Sequence, residues 1–155
     1  MGRADQAIEA FRNNFNCAQA VFSVYSADFG LDPALACKTA CAFGAGMGRT
    51  ARVCGAVSGA FMVIGLARGM AKADEKDLKE ETYQMARSFI REFEKRHKSI
   101  NCRDILGLDV GTPEGLKEAK ERELFKTVCA PCVLSAVEIV GKILENQPGK
   151  DAGMR

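Results

Sequence analysis

The sequence predicts an all-α protein, a helical bundle of about five to seven helices in one domain. Three observations carry that reading. Apolar residues recur at helical spacing in most segments, residues that start and stop helices punctuate them, and no stretch alternates apolar and polar with a period of two. With 155 residues, 47% of them hydrophobic and 27% charged, the chain has enough apolar material for a single core. The domain is expected over 1–147, followed by a flexible tail over 148–155 that lacks anchoring apolar residues.

Ile8, Phe11 and Phe15 mark a first helix. After Asn13-Asn14 a second runs from Asn16 through Val21, Phe22, Val24 and Tyr25 to Gly30, with Asn16 as N-cap and Cys17 in the first turn. Asp32-Pro33 starts a short helix through Cys37 and Cys41, because proline suits a first helical position. The glycines Gly44, Gly46 and Gly48 end it. Val53 to Gly69 is almost wholly apolar, and its small residues Gly55, Ser58, Gly59 and Ala60 let another backbone come close, so it belongs at the centre. Asp74 to Lys98 is long and charged with Leu78, Met85, Phe89 and Phe93 as its buried stripe, which predicts an outer helix. Asn101-Cys102 repeats the Asn16-Cys17 arrangement before Gly111 and Pro113 interrupt. Pro113 to Lys126 is a polar helical stretch, and Cys129-Ala-Pro-Cys132 opens a last helix through Val133, Val137, Ile139, Val140 and Leu144.

The net charge of +2, from 22 basic and 20 acidic residues, leaves no electrostatic footprint for nucleic acid or an anionic membrane. The longest apolar run, Val53 to Ala67, is shorter than the roughly 20 residues that span a bilayer, so no membrane insertion is expected. The polar start, Met1 to Gln6, shows no apolar signal segment, which leads to an expectation of the cytoplasm. Seven cysteines are an odd number, and a reducing compartment favours metal binding or thiol chemistry over a disulfide framework.

Cys17, Cys54, Cys102 and Cys129 all fall where a helix is expected to begin. Unpaired N–H groups and the positive end of the macrodipole there favour the thiolate, the form that binds metals and attacks disulfides. Four such thiols suit an iron–sulfur cluster or zinc, although the spacing is neither that of paired CxxC units nor that of a ferredoxin run. Cys129-Ala-Pro-Cys132 has the form of a redox CxxC without a thioredoxin context, and Cys37 and Cys41 share a helix face as a second candidate redox pair or as small apolar packing. Gly44-Ala-Gly46-Met-Gly48 lacks the preceding strand and following lysine of a nucleotide loop. A tight loop packed over the cysteines, with Arg49 and Arg52 beside a thiolate or small anion, fits it better. His97, the only histidine, is accounted for by its place at the cationic end of a charged helix.

The stretch Phe43 to Arg49, followed by Cys54-Gly-Ala-Val-Ser-Gly59, resembles the C_GCAxxG_C_C family, small proteins described as redox-active and marked by four cysteines and a Cys-Gly-Ala-x-x-Gly motif. The likeness extends through Asn16 to Val21, Asn101-Cys102 and the Cys129 to Val140 segment. It implies that the family cysteines are Cys17, Cys54, Cys102 and Cys129, with Cys132 able to substitute for Cys129, and that Cys37 and Cys41 are extras. The leading expectation is an iron–sulfur cluster on Cys17, Cys54, Cys102 and Cys129 used for electron transfer, with Gly55 and Gly59 allowing close packing and Gly44 to Gly48 shielding the site. The alternatives are a thiol–disulfide oxidoreductase using Cys129 and Cys132 or Cys37 and Cys41, and a zinc-stabilised interaction module. A redox protein or small-molecule electron acceptor is the expected partner, and a homodimer is compatible with the sequence.

Overall fold

The computed structural model describes residues 1–147; the tail expected over 148–155 lies outside the described residues. Among the described residues there are eight right-handed α-helices and no strand, one more than the upper end of the expected range. They are α1 (Arg3–Arg12), α2 (Cys17–Ser26), α3 (Pro33–Ala40), α4 (Gly55–Arg68), α5 (Lys76–His97), α6 (Cys102–Leu106), α7 (Pro113–Glu121) and α8 (Ala130–Glu145).

Local chemistry sets several boundaries. Asn16 Oδ1 accepts from Gln19 N at 3.0 Å while Asn16 N donates to Gln19 Oε1 at 2.9 Å, a reciprocal capping box at the start of α2. The same two side chains donate to Cys41 O and Cys37 O, at 2.8 and 3.0 Å, and so fasten α3 to the start of α2. Asp32 caps α3 and Thr112 caps α7, each before a proline in the first turn. Asn101 departs from the expected repeat: it makes no side-chain cap and donates instead to Asp104 Oδ2 at 3.4 Å.

The apolar helix α4 lies at the centre as expected. Ala56, Val57, Ala60, Val63 and Ile64 are fully buried, against α2, α5 and α8. A Cβ on Gly59 would stand 2.7 Å from Ala18 O, so the small face of α4 is what lets α2 approach. The amphipathic α5 lies outside and buries only Met85, Phe89 and Phe93, with Phe89 and Phe93 stacked at 5.6 Å. The continuous helical stretch Phe125–Glu145 is long and apolar enough to cross a membrane by length and composition. Within the bundle its Val133, Ala136, Val137, Ile139 and Val140 are core residues.

Two hydrophobic clusters result. The larger joins α1, α2, α3, α4, α5 and α8. The smaller contains Ala51, Cys102, Leu106, Val110, Ala119 and Leu124, with Ala45, Phe125, Val128 and Cys129 packed against it.

Candidate functional site

The cysteines gather at the seam between these clusters. Cys17, Cys54 and Cys132 belong to the larger one, whereas Cys102 and Cys129 face it from the smaller one. Each arrives by a different local device.

Cys17 is the first residue of α2, set there by the Asn16 cap. Cys54 is the N-cap of α4, and Cys102 the first residue of α6. An isolated antiparallel bridge between Val53 and Asn101 holds the last two side by side: Cys54 N donates to Ile100 O at 2.8 Å and Cys102 N to Arg52 O at 2.6 Å. Periodicity could not show this bridge, because one residue pair forms it.

Cys129 corrects the sequence reading. It does not begin a helix but closes a π-helical turn, Phe125–Cys129, that runs directly into α8. Ala130 N donates five residues back to Phe125 O. Pro131 has no N–H to offer Thr127 O, so the ordinary ladder fails there and a wide turn replaces it. Cys132, one turn into α8, is 1% exposed. Both members of the CxxC therefore reach the site, but they act on different thiols: Cys129 is raised by burial and then by Cys17 and Cys102, while Cys132 helps to raise Cys54.

Gly55 explains how the sulfurs come so close. A Cβ at this position would overlap Cys17 Sγ. The loop between α3 and α4 completes the surroundings of Cys17. Ala45, Gly46, Met47, Gly48 and Arg49 all have positive φ, between 53° and 72°, a short left-handed turn that costs each non-glycine residue roughly 1–2 kcal/mol. Arg49 N to Gly44 O and Arg52 N to Gly46 O tie the turn together, and the backbone of Ala45 acts to lower the Cys17 pKa. A Cβ on Gly46 would stand 2.5 Å from Arg52 N. The glycine loop thus lies beside Cys17. Arg49 and Arg52 are exposed and do not figure among the charges acting on the thiols.

The electrostatics reverse the expectation of easily formed thiolates. Hydrogen bonding with Cys54 pushes the Cys17 pKa well up, burial adds to it, and the backbone of Ala45 and Ala18 only partly opposes them. Hydrogen bonding with Cys132 raises Cys54, again with burial behind it. Burial pushes Cys102 up to about 11, helped by Cys17 and Asp109. Burial likewise raises Cys129, with Cys17 and Cys102 adding to it. A helix N-terminus favours a single thiolate, but several thiols sharing a dry site cannot all ionise.

His97 was accounted for without the site, yet it borders it. Its Nδ1 lies 3.5 Å from Cys132 Sγ, its ring packs on Phe93 at 4.6 Å, and its Nε2 is buried without a partner. Burial, then Arg96, lowers its pKa. No sequence pattern joins positions 97 and 132. Cys37 is half-buried and Cys41 exposed; neither enters the thiol contacts.

The model of the family described as "Putative redox-active protein (C_GCAxxG_C_C)" matches residues 15–143. The chain belongs to the C_GCAxxG_C_C family. The matched span includes every cysteine at the seam and the Gly55 and Gly59 positions on which α2 and α4 close. No curated protein and no solved structure matches the chain.

Proposed function

We propose that this redox-active family member works through the thiols of the seam, with Cys17, Cys54, Cys102 and Cys129 as ligands of an iron–sulfur cluster that carries electrons. The observation that supports it is the convergence of these cysteines, from four separate segments, at the seam between two hydrophobic clusters. The donor chemistry fits: the sulfurs are soft, those of Cys17, Cys54 and Cys102 are buried and that of Cys129 half-buried, and the left-handed turn brings main chain to Cys17. As they stand, no three ligating side chains among the described residues are grouped closely enough to hold an ion. Loading therefore requires the thiols to release their protons and their side chains to rearrange.

When bound, such a cluster supplies one-electron chemistry whose potential depends on burial and on hydrogen bonds to sulfur. The chain's part is to exclude water through α2 and α4, hold Cys17 against Gly55, and keep Cys54 and Cys102 in register through the Val53–Asn101 bridge. Cys132 is the fifth sulfur, outside the ligand set. The raised thiol pKa values weigh against Cys129 as a freely nucleophilic cysteine of an exchange enzyme. The partner we assign is a redox protein or small electron acceptor in the cytoplasm.

Protein purified and reconstituted without oxygen is expected to be coloured, to contain iron and acid-labile sulfide, and to lose both when Cys17, Cys54, Cys102 and Cys129 are changed to serine. Colourless protein without iron or sulfide after reconstitution would reject the cluster, and stoichiometric zinc in its place would identify the zinc module.

A further inference from the structure

The charges of this chain nearly cancel, but they are not spread evenly. Between Asp32 and Asp74 the sequence carries no aspartate or glutamate, while Lys38, Arg49, Arg52, Arg68 and Lys72 lie there. At the far end of α4, Arg68 is paired with Glu81 of α5. At the seam end, Lys38, Arg49 and Arg52 are exposed and form no ion pair among the described residues. These three share a surface. Leu35, Lys38, Thr39 and Ala42 follow one another at helical spacing and are all exposed, so they form the outer face of α3 and of the turn that extends it. A Cβ on Gly48 would stand 3.6 Å from Ala42 O, which joins that face to the exposed end of the left-handed turn, Met47 to Arg49. Arg52 follows, tied back by its N–H to Gly46 O. Leu35 and Met47 are 51% and 41% exposed, large apolar side chains set among the cations. Asp109 comes near through Gly111, whose Cβ would stand 2.9 Å from Arg49 O, but it is paired with Arg103 at 2.7 Å.

The underside of this surface meets Cys17. Asn16 and Gln19, whose reciprocal cap sets Cys17 at the start of α2, donate to Cys41 O and Cys37 O at 2.8 and 3.0 Å. A Cβ on Gly55 would overlap Cys17 Sγ and stand 3.0 Å from Phe43 O. The basic surface therefore overlies Cys17, with the end of α3 and the left-handed turn as the intervening chain.

From this geometry we infer that the outer face of α3, together with the left-handed turn, docks an acidic electron-carrier protein over Cys17. The kind of partner rests on the electron-transfer reading; the existence of the face does not. Unpaired cations around exposed apolar side chains complement a carboxylate-rich rim around an apolar centre, and a transient redox encounter needs only a small interface of this form. Nucleic acid fits less well. Its affinity comes from many phosphate contacts along a longer basic stripe, and Leu35 and Met47 offer nothing to phosphate.

The isotope-labelled full-length chain, reduced and metal-free, is titrated with purified flavodoxin, a small acidic electron carrier, at about 20 mM salt while its amide resonances are followed by NMR. Shifts are expected to concentrate in residues 35–52 and to fade at about 300 mM salt. Arg49→Glu combined with Arg52→Glu should weaken binding roughly tenfold or more at unchanged helical circular dichroism. Lys76→Glu combined with Lys79→Glu alters the net charge equally on α5, near the far end of α4, and should weaken binding much less. Absence of binding at low salt, shifts centred elsewhere, binding indifferent to salt, or equal losses in the two double variants overturns the proposal. Tighter binding of a thymidine oligonucleotide to the same face also overturns it and assigns the face to nucleic acid. The titration needs no metal, and iron and sulfide are assayed separately in oxygen-free protein, so a missing docking face and a missing cluster are told apart.

Discussion

Gly55 sits so close to Cys17 that a methyl group has no place between them. In Gly55→Ala the new Cβ must displace the Cys17 sulfur or push α4 off α2. Overpacking of this kind costs about 1–3 kcal/mol, and here it also spoils the thiol geometry. The expected outcome is a lower urea midpoint together with loss of the Cys17 contact, read as faster alkylation of Cys17 in the folded protein. An unchanged midpoint with unchanged alkylation would mean that α4 tolerates the methyl group. Placement of Cys17, Cys54 and Cys102 at helix starts was legible because Asn16 and the Cys-Gly-Ala turn are local signals. Their acidity was not, because it is decided by Cys54 on Cys17 and by Cys132 on Cys54, contacts between residues far apart in sequence. His97 was missed for the same reason.

The helices could be read from periodicity and caps, but the pieces that bring the cysteines together are irregular. The π turn before α8 follows from Pro131, a visible signal whose consequence depends on the helix beginning earlier than Cys129. The Val53–Asn101 bridge has no periodic signature. In the loop after α3 the glycines could be seen, whereas the left-handed state of Ala45, Met47 and Arg49 between them could not, since these residues rarely adopt it. That strain yields a paired prediction. Arg49 is exposed with φ 63°, so Arg49→Gly relieves an unfavourable backbone and is expected to be neutral or to stabilise by up to about 1 kcal/mol, after the entropy glycine adds to the unfolded chain. Gly46→Ala meets Arg52 N at 2.5 Å and is expected to destabilise by more than about 1 kcal/mol. Thermal melts of the two variants check both signs. Equal losses would show that side-chain size, not backbone conformation, governs this turn.

Across the whole molecule, the thiol seam couples stability to alkaline pH. Cys17, Cys54, Cys102 and Cys129 all have pKa values raised by burial and by one another, above an ordinary thiol value of 9.0. Below that value both folded and unfolded chains hold these protons, and the seam's contribution is constant. Above it the unfolded chain releases protons that the folded chain retains, so stability falls as pH rises. For Cys102 the loss runs until its own ionisation at about 11; the other three, all raised, add to the same loss. Tyr25, raised chiefly by burial from 10.0, adds to the same trend. Urea midpoints of the reduced, metal-free protein, measured without oxygen, should therefore be level up to about pH 8 and decline steadily from 9 to 11. Cys102→Ala starts lower, because it removes a buried side chain, but its decline over that interval should be shallower. A midpoint that stays level to pH 11, or a variant that declines as steeply, would show that the seam opens to water before its thiols ionise.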